Sequence, residues 1–310
     1  MADIALVGLG NLGSRHLQGL ARAETPLRIR LIDPSENSIR IATERWREAG
    51  GDEGPHILLA EDPGAYDLAI VATTADHRTA AVEALAARAE VAAWILEKPL
   101  GQAAADIDRM AAHVGPRCWV NTARREMAWH RQIAGEVSVG DGPLDVIVEG
   151  GPWGLAGNAI HFIDLVTWWS GSEAVEIDAS GLDPHWHASK RSGYSEIFGR
   201  LRIRYGDGSS LTLISTAKGG PHSISVATDA GRWIIEEGSG RCERPDGTVL
   251  NGKIEYQSEL TGRLADTMVA GGSPALPPLG AIASAERRLL AALTPHRMAA
   301  GGPPDRLDIT

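Results

Sequence analysis

A short apolar run, Ile4-Ala5-Leu6-Val7, passes directly into Gly8-Leu9-Gly10-Asn11-Leu12-Gly13. No other stretch restricts the fold so tightly. The run has the composition of a strand buried on both faces. Glycine at this spacing permits a tight turn, a close backbone approach and close packing of the next helix on the strand. That helix should cover roughly residues 12–23 and stop at Thr25-Pro26, because the residue before proline avoids the helical region. A strand opening into a helix through this loop is the first half of a βαβ unit. Its helix N-terminus offers amide donors and positive partial charge to phosphates.

The second strand is expected over residues 27–32 and closes on Asp33, 20 residues beyond Gly13. A carboxylate at that distance can accept hydrogen bonds from the adenosine ribose hydroxyls of NAD and repel the extra phosphate of NADP. Gly8, Gly10, Asn11, Leu12, Gly13 and Asp33 are therefore candidate cofactor-binding residues. NAD is the expected cofactor, with NADP left open because Arg40 and Arg45 could reach a 2′-phosphate if the loop bends.

Strand and helix patterns go on alternating. Ser35 is a plausible cap for a helix over 35–49, and 67–73 reads as a buried strand. A helix over 75–89, a strand over 91–96, a helix over 103–113 and a strand over 117–122 follow. The pattern predicts an α/β fold, a doubly wound parallel sheet of Rossmann type over residues 1–122. Beyond 123 the rhythm changes. A strand over 144–149 and a helix over 158–169 precede closely spaced strands, of which 196–205 and 209–216 flank the turn Gly206-Asp207-Gly208. Residues 123–310 thus read as an α+β domain with a mainly antiparallel sheet. A last helix is expected over 281–293, with a frayed stretch over 299–304.

Composition removes several function classes. Forty acidic against 30 basic side chains give a net charge of −10, which argues against a nucleic-acid or anionic-membrane surface. Cys118 and Cys242 are the only cysteines, so no disulfide framework or cysteine-rich zinc site can form. His185 and His187 alternate like metal ligands but lack an evident third, so no metal is expected. The first residues carry no basic segment followed by an apolar run, and the expected address is the cytoplasm.

The strand over 91–96 runs into Glu97-Lys98-Pro99, which places Lys98 beyond the carboxyl end of a sheet strand, where ligands of open α/β sheets bind. Together with the glycine loop continuing as Ser14-Arg15-His16, the Val71-Ala72-Thr73 strand end and the helix start over 157–164, this segment resembles the glucose–fructose oxidoreductase/inositol dehydrogenase (Gfo/Idh/MocA) family. The resemblance implies that Thr73, Glu97 and Lys98 lie at the cofactor, that Lys98 also contacts the substrate's reacting hydroxyl, and that Pro99 sits in a cis peptide. It matches His161 to the family's histidine and Asp164 to its later aspartate, making Lys98, His161 and Asp164 the candidate catalytic residues. On a helix, Asn158, His161, Asp164 and Trp168 share one stripe. One position departs: the family's aspartate four residues before the histidine is Gly157 here.

Asn158, Arg124, Arg125, Lys190 and Tyr194 are candidate substrate contacts, the arginines and lysine suiting an anionic group, with an interdomain salt bridge an equal alternative for the two arginines. Residues 185–194 read as a polar, aromatic loop. The function implied is NAD(P)-dependent hydride transfer to or from a carbinol carbon of a sugar, polyol or sugar derivative, including an anionic or nucleotide sugar. By resemblance alone, residues 123–310 are implied to serve substrate binding and oligomerisation, as a homodimer or homotetramer. The alternatives are a non-catalytic ligand sensor, motivated by Gly157, and a reductase of an imine or tetrapyrrole.

Overall fold

The computed structural model describes residues 1–138 and 142–310. They form two compact units. The first comprises Met1–Gly101, Ala105–Asn121 and Glu255–Leu279; the second comprises Gln102–Ala104, Thr122–Ile254 and Gly280–Thr310.

In chain order the first unit opens with β1 (Ala2–Val7), α1 (Asn11–Leu20), β2 (Leu27–Ile32), α2 (Glu36–Glu48), β3 (Ile57–Leu59) and β4 (Ala65–Tyr66). It continues with β5 (Leu68–Val71), α3 (Ala75–Ala86), β6 (Glu90–Val91), β7 (Trp94–Leu96), α4 (Ala104–Ala111) and β8 (Cys118–Val120). Six strands make one parallel sheet in the order β3-β2-β1-β5-β7-β8, and β4 with β6 forms a separate two-stranded ribbon. This is the doubly wound order, with the winding reversing between β1 and β5. Strands β5, β7 and β8 are buried at every residue, as a sheet covered on both faces requires. Ser35 caps α2, its hydroxyl accepting the Ser38 amide at 3.2 Å, and Trp46 is fully buried beneath that helix.

The second unit holds α5 (Ala128–Val137), β9 (Asp145–Gly150), α6 (Leu155–Ser170), β10 (Ala174–Ala188), β11 (Ser195–Tyr205) and β12 (Ser210–Ser215). Then come β13 (Ser223–Thr228), β14 (Gly231–Glu236), β15 (Arg241–Glu243) and β16 (Val249–Asn251). The sheet order is β10-β11-β12-β9-β13-β14-β15-β16, antiparallel except for the β12–β9 pair. Helix α6 lies on this sheet, and the buried Tyr205 hydroxyl donates to the Ile163 carbonyl at 3.0 Å. The α/β class with an N-terminal parallel sheet and a mainly antiparallel second sheet is thus as the strand pattern predicts. None of the helices among the described residues is long and apolar enough to cross a membrane.

Several local expectations need correction. Residues 255–279, expected in the second domain, pack in the first unit. They carry α7 (Gln257–Val269), whose buried face is Leu260, Thr261, Gly262, Leu264, Ala265 and Met268. Small and polar residues on that face hide the helical period. They are small because α7 lies against α1: a side chain on Gly262 would meet the Gly19 carbonyl oxygen at 2.8 Å. Helix α5 also lacked a legible signal. Residues 185–188 are not loop but the end of β10, whose register against β11 shifts three times and blurs the alternation of inward and outward residues. The last helix, α8 (Leu279–Ala299), is longer than expected and continues through Pro295. Its end is not frayed, since the Gly301 and Gly302 amides donate back to Met298 and Arg297 at 2.9 Å.

Candidate functional site

The first unit builds a loop shaped for a dinucleotide. Gly8 has φ of 85°, and a side chain there would meet the Thr73 amide nitrogen at 2.7 Å. Only glycine fits. Gly13 is equally constrained, for a Cβ would run into the Gly8 carbonyl, with its carbon at 2.8 Å. Gly10 differs: it is exposed, and a Cβ there would meet nothing within 4 Å. Gly10 is also the N-cap of α1 and supplies no side-chain cap, while Asn11 and Leu12 are exposed in the first turn. The first-turn amides therefore keep the unsatisfied donor capacity of a helix start, which fits a pyrophosphate.

Asp33 does more than its spacing suggested. One carboxylate oxygen accepts the Leu9 amide at 2.6 Å and the other accepts the Ser35 amide at 2.8 Å, so Asp33 clamps the glycine loop to the end of β2. Each oxygen retains a further lone pair for a ribose hydroxyl. The two arginines considered for a 2′-phosphate are otherwise engaged. Arg45 donates to the Ser14 hydroxyl, and Arg40 donates to Glu44 at 2.6 Å and to Asn37 at 2.9 Å.

The segment after β7 is held from below. Lys98–Pro99 is a cis peptide and Lys98 is half-buried. Glu97 is buried: it meets His16 Nε2 at 2.9 Å and accepts from the Asn121 amide group. His16 Nδ1 in turn meets the Thr261 hydroxyl at 2.9 Å. Burial pushes the Glu97 carboxyl up, but the bond and charge of His16, with Asn121 and Arg78, hold it below the usual range. Glu97, assigned to the cofactor by resemblance, serves here as the anchor of the Lys98 segment. Sequence reasoning missed Arg78, which is 1% exposed and donates to both the Pro99 and Thr73 carbonyls. A buried arginine in the first turn of α3 leaves no periodic signal of its own.

In the second unit the chain enters α6 through Gly154 at φ of 80°. Glu196 from β11 accepts the Ala156 amide at 3.1 Å, satisfying one donor at the helix start. Asn158 donates to the Trp153 carbonyl at 2.8 Å. His161, half-buried, lies one turn after Gly157. Asp164 is 3% exposed and takes the Thr122 hydroxyl at 2.6 Å and Arg125 at 2.5 and 3.0 Å. Burial raises its carboxyl pKa against the opposing pull of Arg125 and Thr122. Arg125 is thereby tied to Asp164 and also lies 5.9 Å from the Trp168 ring centre. Of the remaining candidates, Lys190 is exposed and Tyr194 half-buried, in a turn closed by the Ser189 amide donating to the Tyr194 carbonyl at 2.8 Å.

Arg124 is held in a cluster that the sequence did not reveal. It forms a two-pronged ion pair with Glu237 at 2.7 and 2.8 Å, and Glu237 also meets His130 Nε2 at 2.8 Å. The guanidinium sits 4.5 Å from the Phe162 ring centre, and Phe162 packs against Trp153 and His222. Burial alone would push Glu237 up, but Arg124 and His130 hold it well below the carboxylate range. Burial lowers His130, against the opposing pull of Glu237.

Glu237→Gln should cost about 3 kcal/mol at neutral pH, because it strands the Arg124 charge in a mostly buried setting. A carboxylate with a depressed folded pKa contributes full stability above its unfolded value and loses it as pH falls through the folded one. The deficit should therefore hold at pH 7 and shrink below about pH 4. Urea unfolding of both proteins across that range measures it; equal stability at pH 7 would refute the assignment.

Among the described residues, no group of three His, Cys, Asp or Glu side chains is placed to hold a metal ion.

Residues 2–122 match the profile of a family described as an oxidoreductase family with an NAD-binding Rossmann fold, GFO_IDH_MocA. The myo-inositol 2-dehydrogenase of Thermotoga maritima is 28% identical over 107 residues, which are 34% of this chain and 31% of that protein. The matched stretch thus spans about a third of that curated relative. Over nearly the whole chain the fold is similar to the myo-inositol dehydrogenase of Lactobacillus casei, solved with NAD(H) and myo-inositol. The TM-score is 0.69 at 15% identity, covering 96% of this chain and 95% of that one. It is also similar to the UDP-N-acetylglucosamine 3-dehydrogenase of Acidithiobacillus ferrooxidans, with a TM-score of 0.66 at 14% identity, covering 96% and 97%. At these identities the structural likeness is one of fold.

Proposed function

We propose that the chain, whose residues 2–122 match the Gfo/Idh/MocA oxidoreductase family profile, is an NAD-dependent dehydrogenase acting on a carbinol carbon of a polyol or sugar. The observation that carries this reading is the glycine loop at the β1/β5 switch point, clamped by Asp33 and open at Gly10. The nicotinamide accepts or returns the hydride when bound. Gly8, Gly10 and Gly13 let the backbone approach the pyrophosphate, the α1 amides donate to it, and Asp33 accepts from the ribose. Thr73, packed on Gly8, shapes the loop's far wall.

Lys98 donates to the carbinol oxygen and steadies the negative charge that grows there as hydride leaves. His161 takes the hydroxyl proton, the role an imidazole suits near neutral pH. Asp164, fixed by Arg125 and Thr122, acts as a positioning residue on the same helix stripe. Arg124 and Arg125 are each held by a carboxylate of this chain, which favours a neutral polyol or sugar over an anionic or nucleotide sugar. A homodimer or homotetramer and a cytoplasmic address belong to the same reading.

Nicotinamide fluorescence titrations on wild type and Asp33→Ala test the cofactor assignment. Wild type should prefer NADH to NADPH. The substitution should weaken NADH by about 10- to 100-fold, as expected for losing charge-assisted hydrogen bonds and the loop clamp, and narrow the gap to NADPH. Failure of wild type to bind either cofactor would overturn the dehydrogenase reading.

A further inference from the structure

Residues 305–310 are a docked strap within the second unit. Leu307 and Ile309 are 0% and 2% exposed. The Leu307 amide donates to the Gln102 carbonyl at 2.8 Å, and the Gln102 side chain donates to the Ile309 carbonyl at 3.0 Å. The Ser195 amide donates to the Asp308 carbonyl at 2.7 Å. The Asp308 carboxylate takes Arg297 at 2.8 and 3.0 Å and the Ser195 hydroxyl at 2.5 Å, while Arg297 lies 5.5 Å from the Trp186 ring centre.

Thr310 of the strap lies against α6. A side chain at Gly157 would meet the Thr310 carbonyl oxygen at 2.7 Å, well inside contact distance. Arg191 also reaches the Thr310 hydroxyl at 3.4 Å, joining the strap to the turn that carries Lys190 and Tyr194. Positions 157 and 161 are one helical turn apart and share a face. The space a side chain at 157 would fill, next to His161 on that face, is thus occupied by an oxygen from Thr310. Glycine inside a helix is unfavourable relative to alanine, and close approach of another backbone is a sufficient reason for it.

We propose that Thr310, held over Gly157 by the strap, is a specificity-determining residue that sets which substituent of a polyol or sugar can lie beside His161. This rests on the dehydrogenase reading. Asp308 and Arg297 are its positioning residues. Gly157→Ala should displace the strap rather than unfold the helix, since alanine is the better helix former. Asp308→Asn should loosen it from the Arg297 side without touching α6.

The test measures kcat and KM for myo-inositol, D-glucose and UDP-N-acetylglucosamine in wild type and both variants, with NADH affinity and hydrogen exchange of residues 305–310 alongside. Exchange of the strap amides should accelerate in both variants while NADH affinity stays unchanged. The ratio of kcat/KM between panel members should shift by at least about tenfold, the scale of pocket-packing discrimination. A loosened strap with an unchanged ranking overturns this proposal alone, as does a fall in stability without a change in ranking. A wild type that binds NADH but turns over none of the panel overturns the dehydrogenase reading and this proposal with it.

Discussion

Gly13→Ala should abolish measurable NADH binding, a loss of at least about 100-fold or about 2.7 kcal/mol. The added methyl would drive into the Gly8 carbonyl, and Gly8 has little room to yield, since even a methyl placed on it would meet the Thr73 amide nitrogen at 2.7 Å. The loop must then lift from β1, and the α1 amides lose their aim. Gly10→Ala is the informative partner. Its methyl meets no protein atom within 4 Å, so thermal stability should stay within about 0.5 kcal/mol of wild type, as for an unobstructed surface change. NADH affinity should nevertheless fall, because the backbone there must come close to phosphate oxygens. Fluorescence titration and thermal unfolding of both variants measure these effects. If Gly10→Ala bound NADH as tightly as wild type, the pyrophosphate could not lie on this loop.

The second large effect concerns chemistry. Lys98→Met should lower kcat by about 100- to 1,000-fold, the usual loss when a donor to a developing oxyanion is removed. His161→Asn should lower kcat by about 100- to 10,000-fold, as expected for loss of a general base, and should leave NADH affinity unchanged. Steady-state rates with the best polyol, from pH 5.5 to 9, measure these effects. A His161→Asn enzyme with wild-type kcat would remove the proton role from this histidine.

Much of the first unit was legible because its signals are local. The β1 run, the three glycines and the Ser35 cap each act through a backbone conformation or a hydrogen bond to a near neighbour, and each sits where its spacing places it. Asp33 was legible by position, but its clamp on Leu9 was not, since that bond joins two strand ends 24 residues apart. The burial of Glu97 was hidden for the same reason: its partners His16 and Asn121 come from 81 and 24 residues away.

The second unit shows the limit more sharply. His161 and Asp164 could be placed on one helix stripe from their spacing, because helical period is a property of the chain itself. Nothing in the spacing told that Arg124 answers Glu237, 113 residues on, or that Arg125 answers Asp164. From sequence both arginines suited an anionic substrate or a salt bridge equally, and the tertiary structure supplied each with a carboxylate of the same chain. Gly157 was visible as a departure, yet its cause is a strap more than 150 residues further along.

By itself the sequence determined the alternation of the main strands and helices over residues 1–122, the dinucleotide loop and the helix that bears His161. Each of these follows from steric and hydrogen-bonding rules acting within a few residues. The tertiary structure alone decided which charges are neutralised, why Glu97 is an anchor and what stands over Gly157. Those depend on Coulomb and packing contacts between segments whose distance in space is set only once the chain has folded.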